Sequence, residues 1–331
     1  MSGHKLLGLW AGALCLLISC SMRAQADVMM QTDTQLQLDK QTSVAFEYFN
    51  RHIFVNLTVN GNPGFTFLFD TGTSTNILNL QTSQRLGLNP ESIRKEKDLG
   101  LGDGKVATAA AKNVDVEMGN VRVANALDVV DLHGLEQVNG HRMDGILGFP
   151  LLEHFVVELD FQNQILTLQP VKHYKYHGRG EILILSHKAY PAAVPVVLGT
   201  FSDSQHNASV EIDTGSDATL LLYSKFAQQA HLVEDPRQLH NQEIYGIGGA
   251  FPVQFATLRY MALGSTAVSP LTVLFMKTTP HVTCKRNLGG IVGTAVLAKY
   301  QRVIFDIPGN RFILEHAPLA TSQITVPRPL N

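Results

Sequence analysis

The chain has 331 residues, 45% of them hydrophobic, and a formal net charge of −2. That length suits two domains or one large β protein with a substantial core, and the charge argues against a nucleic-acid partner. Thirteen histidines are present, but no His-Glu-x-x-His, Cys-x-x-Cys or Walker loop accompanies them, so neither a metal nor another cofactor is expected.

The first element is a targeting segment. Lys5 precedes an apolar run, Leu6 to Cys20, too short and wrongly flanked for a membrane span. Two cleavage readings stand. Ala24-Gln25-Ala26 is an A-x-A site that makes residues 1–26 a signal peptide, while Leu17-Ile18-Ser19-Cys20 resembles a bacterial lipobox. The second ends the signal at 19 and leaves Cys20 lipidated, with membrane attachment through it. Either way export is expected, to the periplasm or cell envelope. Cys284 alone then remains in the body, so no intrachain disulfide can form.

Residues 27–43 are polar and aperiodic and read as a tether. A β pattern follows. His52 to Val59, a turn at Asn60-Gly61-Asn62-Pro63-Gly64 and a strand from Phe65 to Phe69 make a hairpin that ends in Asp70-Thr71-Gly72-Thr73. A strand, Thr75 to Leu80, and a short helix to Leu86 come next, then a Gly-rich segment around Gly100 and Gly102 that suits a mobile hairpin. Paired strands around Gly119-Asn120 lead to Asp144-Gly145-Ile146-Leu147-Gly148, a short helix and a closing hairpin.

The second half has the same order. A strand to Leu198, a polar turn at 202–207 and a strand to Ile212 end in Asp213-Thr214-Gly215-Ser216, 143 residues after the first such turn. A helix with Ser224 as its N-cap is expected. Then come a Gly-rich segment with Gly246 and Gly248, paired strands around Gly264-Ser265, Gly289-Gly290-Ile291-Val292-Gly293, a short helix and a hairpin. Four matched elements in one order indicate an internal repeat. The units are 44–172 and 181–316, with a linker at 173–180 and a tail at 317–331.

One Asp-Thr-Gly is an ordinary turn sequence. Two of them, each after an apolar strand, before a hydroxyl residue and matched downstream by an apolar-apolar-Gly, point to one site with two carboxylates. The constellation resembles the aspartic peptidases, and more closely a bacterial retropepsin-like form with two tandem units in one chain. The resemblance covers residues 44–316. It implies an all-β, bilobal acid-protease fold of two retropepsin-like β-barrel lobes, a monomer with an intramolecular pseudo-dimer, and a polypeptide substrate. Asp70 and Asp213 would be the catalytic pair. Thr71 and Thr214 would interlock the lobes, Gly72 and Gly215 would let backbone amides reach the carboxylates, and Thr73 and Ser216 would bond their outer oxygens. The segments around Gly100, Gly102, Gly246 and Gly248 would be flaps. The expected activity is that of an aspartic endopeptidase, with a catalytically inactive peptide-binding module as the alternative; retention of both aspartates discriminates for the enzyme.

The lobes also differ. Residues 99–104 hold no tyrosine, Gly289 stands where the first half has Asp144, and Glu211 and Asp217 stand where it has Leu68 and Ser74. The last difference can bias the proton that two neighbouring carboxylates share.

Overall fold

The computed structural model describes residues 39–88, 91–97, 106–232, 237, 239–277 and 288–317. The signal, most of the tether, Cys20, Gly100, Gly102, Cys284 and the tail from 318 lie outside the described residues.

In chain order the first half comprises β1 (Thr42–Phe49), β2 (His52–Val59), β3 (Asn62–Phe69), β4 (Ile77–Asn79), helix α1 (Leu80–Arg85), β5 (Glu91–Lys97), β6 (Val106–Met118), β7 (Val121–Val130), α2 (His133–Asn139), β8 (Gly145–Leu147), α3 (Pro150–His154), β9 (Phe155–Asp160) and β10 (Ile165–Pro170). The second half comprises β11 (Glu181–Ile184), β12 (Ala193–Gly199), β13 (Gln205–Asp213), β14 (Leu220–Leu222), α4 (Ser224–Gln229), β15 (His240–Gly246), β16 (Gly249–Leu258), β17 (Tyr260–Leu263), β18 (Thr266–Val268), β19 (Leu271–Met276), β20 (Gly290–Gly293), α5 (Thr294–Leu297), β21 (Arg302–Asp306) and β22 (Arg311–Glu315).

The protein is all-β in class and bilobal. One lobe runs β2-β3-β8-β4-β7-β6-β5 and the other β12-β13-β20-β14-β19-β16-β15, the same order of equivalent strands. In each, the aspartate strand pairs in parallel with the apolar-apolar-Gly strand: Phe69 lies opposite Leu147, and Ile212 opposite Val292. A third set of strands, β11-β22-β21-β9-β10-β1, joins the lobes. Its seam is antiparallel β9–β21, with Val303 opposite Leu159 and Phe305 opposite Val157. β1 belongs to two sheets, pairing with β10 through Ala45 and with β2 from Phe46 onward.

Period-two alternation explains how β3 is seated. Phe65, Phe67 and Phe69 enter the main core, while Leu68 faces a second cluster with Phe54, Ile77 and Ile146. A fully buried Phe such as Phe67 contributes about 1.5–3 kcal/mol. On β13, Val210 and Ile212 enter the main core, and Glu211 takes the register place of Leu68: Leu68 lies between Phe54 and Ile146, Glu211 between Ala193 and Ile291.

Several local expectations are corrected. The β2–β3 turn is only Asn60-Gly61, both at positive φ as a type I′ hairpin requires, so β3 begins at Asn62 and carries Pro63 and Gly64. Ser224 is the first residue of α4 rather than its cap; Tyr223 occupies that position without a side-chain capping bond. Asn79 caps α1, accepting the Gln81 N–H at 3.3 Å.

Candidate active site

The two Asp-Thr-Gly turns meet at the lobe junction. The Thr71 N–H donates to Thr214 Oγ1 at 3.0 Å, and the Thr214 N–H donates to Thr71 Oγ1 at 3.0 Å. Each hydroxyl then donates onward across the junction, Thr71 to the Ile212 carbonyl at 2.7 Å and Thr214 to the Phe69 carbonyl at 2.8 Å. Every partner is buried, so none of these groups has water as an alternative.

That lock sets the carboxylates face to face. The Gly72 N–H donates to Asp70 Oδ1 and the Gly215 N–H to Asp213 Oδ1, both at 2.8 Å. The glycines are required by close approach: a Cβ on Gly72 would collide with the Asp213 carboxylate, and one on Gly215 with that of Asp70. Gly148 and Gly293 are equally constrained. A Cβ there would strike the carbonyls of Thr73 and Thr75, or of Ser216 and Ala218. The Ile146-Leu147-Gly148 and Ile291-Val292-Gly293 strands therefore lie directly under the turns. Asp213 is pushed well above the ordinary carboxylate range, first by burial, then by the charge of Asp70 and then by that of Glu211.

The hydroxyls after the two turns behave differently. Thr73 Oγ1 donates to Asp70 Oδ2 at 2.6 Å, as the resemblance implies. Ser216 departs from it: its hydroxyl accepts the Ala218 N–H at 3.3 Å. Serine lacks the second Cβ substituent that restricts Thr73, so it is freer to turn back on its own loop.

Two residues that sequence reasoning did not single out complete the floor. The Tyr190 hydroxyl donates to the Gly72 carbonyl at 2.8 Å, and His52 Nε2 lies 3.2 Å from the Gly215 carbonyl. Each reaches from one lobe to the other lobe's glycine. The β12–β13 turn is longer than the two-residue β2–β3 turn, so counting back from the aspartates does not align them.

A cavity of about 520 Å³ lies over the carboxylates, with Asp70, Gly72, Asp213 and Gly215 in its floor. Leu68, Leu135 and Ile146 form one apolar wall, and Leu221, Phe251 and Leu274 the other. The β15–β16 hairpin closes one side. Gly246 pairs with Gly249 at its tip, Gly248 lies in the turn, and Ile247 packs against the cluster of Phe54, Leu68 and Ile146 in the opposite lobe. Tyr245 lines the cavity and is 54% exposed, so it is not a core residue. The corresponding β5–β6 connection contains Gly100 and Gly102, outside the described residues. Among the described residues no group of three or more His, Cys, Asp or Glu side chains could hold a metal ion.

Asp144 serves a different purpose. It is 2% exposed and accepts from the Thr66 N–H at 2.9 Å, Thr82 Oγ1 at 2.8 Å, and the guanidinium groups of Arg85 at 2.6 Å and Arg142 at 2.9 Å. In the other lobe Gly289 takes its place, and a Cβ there would press on the Ala208 methyl and the Phe226 ring. Burial works to raise the Asp144 pKa, but these hydrogen bonds together hold it below the usual value. Because it ionises more readily in the folded state, its stabilisation is complete above the unfolded value near pH 4 and is lost as pH falls through the lower folded value. Asp144→Asn should therefore lower unfolding free energy by about 2–3 kcal/mol at pH 7, with the gap narrowing in acid. Urea unfolding across pH measures this.

The fold and site thus define a two-lobed β protein with paired aspartates on the floor of a cleft. Residues 55–151, which include Asp70-Thr71-Gly72 and Ile146-Leu147-Gly148, match a family model described as aspartyl protease. No curated protein matches the chain. Among solved structures it is similar to the aspartic proteinase from Irpex lacteus, with 14% identity and a TM-score of 0.49 over 86% of this chain and 99% of that one.

Proposed function

We propose that the protein is an aspartic endopeptidase built from two tandem retropepsin-like units, hydrolysing peptide bonds through water activated by Asp70 and Asp213. The observation that carries this is the reciprocal threonine lock, which faces two buried carboxylates on a cleft floor with their glycine amides bonded to them. Two carboxylates so placed share one proton. The ionised member takes a proton from a water between them, and the water oxygen attacks the peptide carbonyl carbon. The protonated member gives its proton to the carbonyl oxygen. As that tetrahedral carbon collapses the C–N bond breaks, one of its two hydroxyls gives its proton to the ionised member, and the leaving nitrogen takes the proton of the other member. The cycle returns one shared proton and needs no covalent intermediate.

An extended polypeptide fits between the cleft floor and the β15–β16 hairpin, whose backbone supplies further hydrogen bonds on closure. The Gly-rich tip with Gly246 and Gly248 is read as a flap, and so, from the sequence alone, is the segment with Gly100 and Gly102. The N-terminal segment directs export to the periplasm or envelope, with Cys20 as the anchor if the lipobox is used.

The test is cleavage of unfolded polypeptides at acidic to near-neutral pH, followed by mass spectrometry of the new termini. Cleavage should resist metal chelators and reagents for serine or cysteine nucleophiles, and should be blocked by a peptide carrying a non-hydrolysable tetrahedral hydroxyl group. Saturable binding of extended peptides without product would establish the inactive binding module instead.

A further inference from the structure

The surroundings of the two aspartates differ in two independent ways. Asp70 accepts from both the Gly72 N–H and the Thr73 hydroxyl, at 2.8 and 2.6 Å. Asp213 accepts from the Gly215 N–H at 2.8 Å, while the Ser216 hydroxyl is turned to Ala218. Behind Asp213, two residues along β13, lies Glu211, 5% exposed. It occupies the register place that Leu68 fills in the other lobe, beside the apolar cluster of Ala193, Leu221, Phe251 and Ile291. The hydroxyl of Tyr223, itself 1% exposed, donates to Glu211 Oε2 at 3.4 Å.

A carboxylate with more donors is easier to ionise, and one beside another buried carboxylate is harder to ionise. Both differences act in the same direction. We propose that Glu211 is a positioning residue of the dyad, holding the shared proton on Asp213 and leaving Asp70 as the base that takes the proton from water. This rests on the dyad reading above and adds the division of labour within it.

Among the described residues the other titratable groups around Asp213 can be placed. Asp70 faces it across the junction, Tyr223 interacts with Glu211, Asp213 and Tyr190, and the Tyr190 hydroxyl donates to the Gly72 carbonyl. His52 sits on the Gly215 carbonyl, and Asp217 and Glu243 lie in the cavity wall. Tyr223 is pushed far above its ordinary value by burial and then by Glu211, so it keeps the proton with which it holds that carboxylate. A dyad that keeps its proton to higher pH retains its acid in less acidic surroundings, so Glu211 extends activity towards neutrality.

The experiment titrates the aspartate side-chain carboxyl carbons by NMR in the full chain. It compares wild type, Glu211→Gln, Asp213→Asn and Glu211→Leu, the last copying the other lobe and serving where the Gln variant does not fold. The pH profile of kcat/KM on a peptide is recorded in parallel. The expected result is an elevated midpoint in wild type that disappears in Asp213→Asn. In both Glu211 variants it falls towards the ordinary carboxylate range, and the alkaline limb of kcat/KM moves down by the same amount. An unmoved midpoint in the Glu211 variants overturns the role of Glu211, and an elevated midpoint carried in wild type by the Asp70 carbon, with the Asp213 carbon identified by its loss in Asp213→Asn, overturns placement of the proton on Asp213. Absence of peptide cleavage by wild type defeats the catalytic reading alone, and the NMR midpoints still decide for or against Glu211.

Discussion

Asp70→Asn and Asp213→Asn should each lower kcat/KM for peptide cleavage by about 10²–10⁴-fold or more, with the fold retained. Asparagine keeps the shape of aspartate, and its carbonyl oxygen can still accept the Gly72 or Gly215 N–H that now bonds the carboxylate. What it cannot do is exchange a proton with water or with its neighbour. The two variants should part company in stability. Asp213 is pushed above the ordinary carboxylate range by burial, Asp70 and Glu211, so the folded protein holds this proton more tightly than the unfolded chain does. Wild-type stability therefore falls as pH rises from the unfolded value near 4 through the higher folded value. Asp213→Asn escapes that loss. It should be at least as stable as wild type in acid and more stable at pH 7, while being inactive at both. Urea unfolding at the two pH values, with the peptide assay alongside, checks the pair of outcomes; activity retained by either asparagine variant would sink the dyad assignment.

Thr214→Val should lower unfolding free energy by about 2–4 kcal/mol, and Thr71→Val by a similar amount. Valine matches threonine in shape, so packing is nearly kept. The loss is in hydrogen bonding. Removing the Thr214 hydroxyl orphans the Thr71 N–H and the Phe69 carbonyl, and removing that of Thr71 orphans the Thr214 N–H and the Ile212 carbonyl. All of these lie at a dry junction, so water cannot replace the lost partner cheaply. The double variant should fall short of the sum, because the second removal meets turns already loosened. It should also lose activity in kcat, since the carboxylates are held at their mutual distance only through these turns. A double-mutant cycle by urea unfolding, with kcat measured on each variant, gives both quantities. Purely additive stability with unchanged kcat would show that the lock does not govern the dyad.

The parts of this site written as contiguous residues were legible before any coordinates. Asp70-Thr71-Gly72 and Asp213-Thr214-Gly215 carry their backbone geometry in their own composition, and Gly148 and Gly293 announce the close packing beneath them. The hairpin with Gly246 and Gly248 was legible for the same reason, since glycine at a tip reports a backbone requirement. What escaped were groups whose role depends on the partner lobe. Tyr190 and His52 read as ordinary residues at strand entries, and only the junction brings them onto the Gly72 and Gly215 carbonyls. Ser216 looked equivalent to Thr73, and a hydroxyl that can choose between two nearby acceptors or donors does not reveal its choice in sequence. Helix α2 was missed because its seven residues bury no side chain and so show no helical apolar period. Asp144 was noticed as a difference from Gly289, but its partners Thr66, Thr82 and Arg85 are scattered along the chain and converge only through β3, α1 and β8.

The β9–β21 seam has a consequence for how the molecule holds together. Each lobe ends in a hairpin whose outer strand is completed by the other lobe, with Val157 and Leu159 backed by Phe305 and Val303. Neither half can open without stripping hydrogen bonds from its counterpart, which ties both into one cooperative unit. A half expressed alone would present β9 or β21 as an open edge with apolar residues along it, the kind of surface that recruits a foreign strand. The covalent joining of the two units thus keeps an aggregation-prone edge permanently supplied with its own partner, independent of protein concentration.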